Sequence, residues 1–177
     1  MARTPSTQSS IVDRGIRAAR LEDAVYEEVE HDREATSQAA VVVVAGAVAA
    51  GIGSIDALGV SGIIFGTLFG LLGWTIYAWL AYFVGTRIFA DTATSADWGE
   101  LARALGFAQA PRVLLVAGII PVLGALVGLA VFFWVLATTV VAIRAALDFS
   151  TGRAIATAIV AWVPMVLLYG VAFAALA

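Results

Sequence analysis

The sequence predicts an all-α membrane protein: a five-transmembrane-helix bundle behind an N-terminal amphipathic and acidic segment, N-terminus inside and C-terminus outside. Three observations carry that expectation. The 177 residues are 62% apolar with a mean hydropathy of +0.97, where soluble domains are about 45–50% apolar. Between Arg112 and Arg144 lie 31 residues without a charge, too many for one bilayer crossing of about 20. All ten basic residues are arginines, and their placement sorts the loops onto two sides of a bilayer.

Residues 1–38 read as a polar N-terminal segment and residues 39–177 as the transmembrane domain. The first ten residues are polar and rich in Ser and Thr, a disordered composition, with no apolar run of a cleavable signal peptide. Ser9 or Ser10 can cap a helix beginning at Ile11. On it Ile11, Val12, Gly15, Ile16 and Ala19 share one face, while Arg14, Arg17 and Arg20 share the other. Such a helix suits either the surface of an anionic leaflet or a solvated place against its own protein. The following run to Glu34 is acidic. On a continuous helix Glu27, Glu30, His31 and Glu34 fall on one face, and Glu28 with His31 makes a Glu-x-x-His pair. These are the candidate metal ligands; the competing reading is a solvated acidic face.

Five crossings follow, at about 39–55, 62–88, 111–121, 124–147 and 154–174. Asp56 ends the first as an interfacial residue, and a short link through Gly59 to Ser61 makes the first two antiparallel neighbours. In the second, Gly62, Gly66 and Gly70 repeat every fourth residue, a ridge that lets another backbone approach closely. Gly124 and Gly128 offer a shorter version, and Ala45, Ala49 and Gly53 a facing surface on the first crossing. Trp74, Tyr77, Trp79 and Tyr82 suggest an interface belt. Between crossings two and three, Asp97 with Glu100 resembles a capping box. The stripe Trp98, Leu101, Ala102 and Leu105 then suggests a two-turn helix in the headgroups, closed by Gly106. Pro121 removes a backbone donor and Gly124 permits a tight reversal, so the long apolar run breaks there. Arg144 and Asp148, four apart, can pair at the exit of crossing four.

With five crossings and an inside N-terminus, one side holds every arginine: Arg3 to Arg33, then Arg87, Arg103 and Arg112, then Arg144 and Arg153. Four crossings would strand the last two outside, against the positive-inside rule.

Gly106-Phe107, then Pro111, then I-P-x-L-G from Ile120 to Gly124, then a long apolar helix closing on Arg144 and S-T-G-R resembles the Yip1 family. The resemblance runs from about Leu21 to Ala174, with Phe107 where Tyr is common. Eukaryotic members, linked to Rab GTPases and vesicle traffic, carry a D-L-Y-G-P segment and a long N-terminal region, neither of which is in this sequence. The resemblance implies the fold and an adaptor or membrane-organising character, with Gly106, Phe107, Pro111, Pro121 and Gly124 as structural motif residues.

Three function classes remain. A non-enzymatic scaffold would pack against the lipid bilayer and assemble with itself or another membrane protein. A transporter or channel for an ion would leave charged residues in the crossings; one for a lipid or neutral solute would not. An enzyme finds little material: one histidine, no cysteine and no phosphate loop. Nothing calls for a cofactor, and scattered arginines give no nucleic-acid footprint. The scaffold is the favoured expectation. The all-arginine basic set, with abundant Ala, Gly and Val, points to a GC-rich bacterial gene and hence a plasma membrane.

Overall fold

The computed structural model describes residues 9–90, 94 and 96–176, and all of its regular elements are helical. Helix α1 (Ile11–Ala19) starts where Ser10 Oγ accepts from the Asp13 N–H at 3.1 Å, as its sequence position predicts. Leu21, in the left-handed region at φ 63°, reverses the chain into α2 (Asp23–His31). Asp32 then adopts an extended conformation, and its Oδ1 accepts the Glu34 N–H at 3.0 Å ahead of α3 (Ala35–Gly53). The expected single acidic face therefore fails: α2 ends at His31, and Glu34 belongs to the approach to the next helix.

Three helices, Ala35–Gly53, Ile55–Arg87 and Val122–Ala146, are long and apolar enough to cross a membrane. Helix α4 (Ile55–Arg87) is broken at Gly59, whose φ of 62° and ψ of −168° suit only glycine, so the expected short link has its turn there. Ahead of it Ser54 Oγ donates to the Ala50 carbonyl at 2.8 Å, and the stretch from Ser54 to Gly59 brings Ile63 back against Gly51 and Gly70 against Ala47. Asp56 sits in the first turn of α4, where a helix N-terminus favours negative charge.

Helix α5 (Trp98–Phe107) opens with the capping box that the sequence suggests, Asp97 and Glu100 satisfying each other's backbone N–H. Its placement differs from expectation. Leu101, Leu105 and Phe107 are buried among Val25, Tyr26 and Ile143, so α5 is a core element and not a helix lying free in headgroups. Gly106 does not close it. A Cβ there would stand 2.6 Å from Ala39 Cβ and 3.2 Å from Ala39 Cα, so glycine lets α5 lie against the backbone of α3.

The third expected crossing differs most from an ordinary α-helical one. Ala110–Ile119 is a ten-residue 3-10 helix with Pro111 in its first turn, about 20 Å long at the usual 2 Å rise, shorter than the ~30 Å of bilayer hydrocarbon. It runs along the distal half of α3. Arg112 lies over Gly46, while Leu115 and Gly118 lie against Gly53. Six 3-10 residues (~12 Å) thus keep pace with seven α-helical ones (~10 Å). Side chains at Gly46, Gly53 or Gly118 would block that approach.

Pro121 then opens α6 (Pro121–Ala146), and α7 (Thr151–Leu176) continues through Pro164. Gly124 is no reversal point; it sits inside α6, where a Cβ would come 2.7 Å from Gly118 Cα. Helices α1, α2 and α5 gather at one end with the Arg87 end of α4, the Arg144 end of α6 and the start of α7, forming a cap whose core is continuous with the bundle. The first 38 residues are thus packed into the fold from Ser9 onward.

Candidate functional site

The cap spends its charge on itself. Arg14, 4% exposed, donates through Nε to Glu28 Oε1 at 2.9 Å, through one terminal nitrogen to Asp32 Oδ2 at 2.8 Å and through the other to Gln38 Oε1 at 3.0 Å. Arg17 bonds the second oxygen of Glu28 at 2.7 Å and Glu22 at 3.3 Å. Burial alone would push Glu28 up, but hydrogen bonds from Arg17 and Arg14 outweigh it and hold the carboxyl below its ordinary range. Arg103 donates to the carbonyls of Val29 and Glu30 at the C-terminus of α2, and Arg144 pairs with Asp23 rather than with Asp148.

One consequence is that α1 is turned around. Its basic face points inward, while Val12 and Ile16 are 66% and 48% exposed. They flank an apolar groove shared with Val41, Ala45, Val113 and Leu114. The amphipathic pattern was legible; which face would be solvated was not, because the neutralising carboxylates come from α2.

Of the candidate metal ligands, Glu30 and His31 meet, Nδ1 to Oε1 at 3.3 Å. Glu28 is held by arginines, and Glu34 lies beyond the break at Asp32. Among the described residues no group of three or more His, Asp or Glu side chains could hold an ion. Glu30 itself is buried, its Oε2 has no hydrogen-bond partner, and its pKa is pushed up to about 7 by burial and by Glu27. His31, Glu100 and Asp148 also act on it, and the Arg103 guanidinium donates to its backbone carbonyl. The folded protein keeps this proton to about pH 7, whereas the unfolded chain gives it up near 4.5. The contribution is therefore fully present below about pH 4.5 and is lost as pH rises through 7. Glu30→Gln should flatten that slope. In thermal melts it should match the parent at about pH 5 and exceed it at about pH 8; equal melting at both would remove Glu30 as the cause.

Below the cap lies a cleft of about 550 Å³. Its facing walls are α4 (Gly66, Phe69, Gly73 and Tyr77) and α6 (Gly128, Phe132, Val135 and Thr139); Trp162 and Met165 of α7 form a third side. The fourth is Leu105 of α5 with Gln109, Arg112 and Leu115 along the 3-10 segment. The glycine ridge is part of what opens this space. Cβ atoms at Gly66 and Gly128 would meet nothing within 4 Å, whereas Gly70 would touch Ala47 at 3.1 Å and Gly62 would meet Leu58 across the kink. The expected close packing at Gly66 is thus absent, and its loss to Leu should leave the bundle intact.

Polar groups gather toward the cap. Arg112 donates to Gln109 Oε1 at 3.3 Å, and the buried Thr138, beside Thr139, donates to the Ala108 carbonyl at 2.7 Å. Trp74 and Tyr77, expected in an interface belt, instead donate to the Ala102 and Ala158 carbonyls at 2.9 and 3.2 Å. Those bonds tie α4 to α5 and α7. The distal part of the cleft is apolar, from Gly66 and Phe69 to Leu115, Gly128 and Phe132. Thr138 and Thr139 are the only hydroxyls in the α6 run, and Arg112 the charge at its border; these were the visible signals in the sequence.

Three apolar helices of membrane-crossing length, with many large apolar side chains of α4 and α6 exposed, define an integral membrane protein. More particularly, the chain belongs to the Yip1 family: the family model described as Yip1 domain matches residues 23–174. Neither a curated protein nor a solved structure shows a match to it. Of the motif residues, Phe107 is fully buried, Pro111 lies in the first turn of the 3-10 helix, Pro121 starts α6, and Gly106 and Gly124 lie at close backbone approaches.

Proposed function

We propose that this protein is a non-enzymatic membrane scaffold that works by packing against lipid and against other membrane helices, its own copies included. The observation that carries this reading is the inversion of the cap. Arg14 and Arg17 are directed inward at Glu28 and Asp32, while α1 turns Val12 and Ile16 outward. Along α4, Ile64, Phe65, Leu68, Leu72 and Trp79 are all more than half exposed. A chain whose outer surface is apolar helix acts on its surroundings by burial and fit, and that agrees with the membrane-organising character of its family. In this reading the chain crosses five times, the 3-10 helix serving as the third passage beside α3, with the cap on the cytoplasmic side of a bacterial plasma membrane. Support comes from Arg87, Arg144 and Arg153, which all lie at the cap end.

Because the chain has no lysine, amine crosslinkers are unsuited. A photoactivatable residue at Leu68 or Val12, irradiated in native membranes, should give discrete protein adducts in addition to lipid. Lipid adducts alone at both positions would contradict the scaffold and favour a solitary carrier.

A further inference from the structure

We propose that the cleft between α4 and α6 is a binding site for one membrane lipid with an anionic headgroup, which enters from the bilayer. The site is independent of whether the protein also assembles with partners. Its dimensions suit one leaflet. From Gly66 to Tyr77 on α4, and from Gly128 to Thr139 on α6, each wall spans eleven helical steps, about 16 Å at 1.5 Å per residue. Half of a ~30 Å hydrocarbon core is about 15 Å.

The chemistry is graded along that height. Arg112, which enters beside Gly46 at mid-height and bonds Gln109, lines the polar part of the cleft with Gln109 and Thr139, and Gly66, Gly128, Phe69 and Phe132 line the apolar distal part. An acyl chain fits the second and a phosphodiester the first, where arginine supplies charge and planar donors. Gly46 lets the Arg112 stem pass over α3, since a Cβ there would stand 2.9 Å from Arg112 Cβ. A guanidinium held beside the middle of an apolar helix is a position that function ordinarily explains. Access is open to lipid: Phe69, Phe132 and Trp162 line the cleft yet are 54%, 51% and 55% exposed.

The test is native mass spectrometry of the full chain released from maltoside micelles after titration with phosphatidylglycerol, phosphatidylcholine of the same chains, or inorganic phosphate. One phosphatidylglycerol should be retained, with phosphatidylcholine weaker by about tenfold, the loss expected of a charge-assisted contact. Arg112→Gln should abolish the preference. Gly66→Leu, which enters open space, should abolish the adduct while leaving the melting temperature of lipid-free protein unchanged, so the test survives if the arginine variant fails to fold. Equal retention of the two lipids, an adduct that persists in Gly66→Leu, or retention of inorganic phosphate alone would each overturn the proposal.

Discussion

Arg14→Leu is expected to destabilise the protein by about 3 kcal/mol, the lower end of the range for removing one partner of a buried ion pair. The side chain is 4% exposed and joins α1 to α2 through Glu28, to the α2–α3 junction through Asp32 and to α3 through Gln38. Its carboxylate partners keep 29% and 24% exposure, so water softens the loss. Glu28 also keeps Arg17, which leaves Asp32 as the group most affected. Arg14→Lys should recover only part of the stability, because one ammonium cannot reproduce a planar fork across three acceptors. Thermal unfolding in detergent gives the comparison. A lysine variant as stable as the parent would mean that charge alone, not fork geometry, holds the cap.

Gly106→Leu should cost at least about 3 kcal/mol, because it forces a large side chain against backbone rather than against a flexible tip. Gly106→Ala is the milder probe, and its Cβ meets Ala39 Cβ first. Pairing it with Ala39→Gly should restore part of the loss, since removing that methyl leaves Ala39 Cα at 3.2 Å as the next contact. Gly66→Leu is the internal control and should melt like the parent. If Gly66→Leu proves as damaging as Gly106→Leu, the helices approach one another at the ridge and the cleft does not exist as described.

The contrast between those two glycines shows what was legible in the sequence. Local signals were read correctly where their cause is local: Ser9 or Ser10 as a cap, the Asp97–Glu100 box, and a break in the apolar run at Pro121. The apolar runs announced long helices, with α6 and α7 within three residues of their expected limits. Spacing could not tell which glycines approach a neighbour. Gly62, Gly66 and Gly70 form the regular ridge, of which only Gly70 approaches another helix, at Ala47, yet Gly46, Gly51 and Gly118, in no such series, and Gly53 make the closer contacts with Arg112, Ile63, Leu115 and each other. A glycine's role is set by what the fold places opposite it.

Charge was misread for the same reason. The arginine face of α1 suited either an anionic leaflet or a solvated place until α2 supplied Glu28 to Arg14 and Arg17, and Arg144 found Asp23 rather than the nearer Asp148. The 3-10 helix was hidden in another way: its composition is that of any apolar segment, and only the space left beside α3 distinguishes a short extended passage from a full α-helix. The cleft draws on six elements, none of which reads alone as more than an apolar face.

The central claim, five crossings with the cap inside, is tested most directly by labelling single cysteines with an impermeant maleimide, the chain having no cysteine of its own. Asp56→Cys at the α3–α4 reversal and Val122→Cys, 79% exposed at the start of α6, should react from outside intact cells. Ser9→Cys and Ser150→Cys should react only after permeabilisation. External labelling at Ser150, or a Val122 that labels only from the side of Ser9, would contradict the five-crossing account.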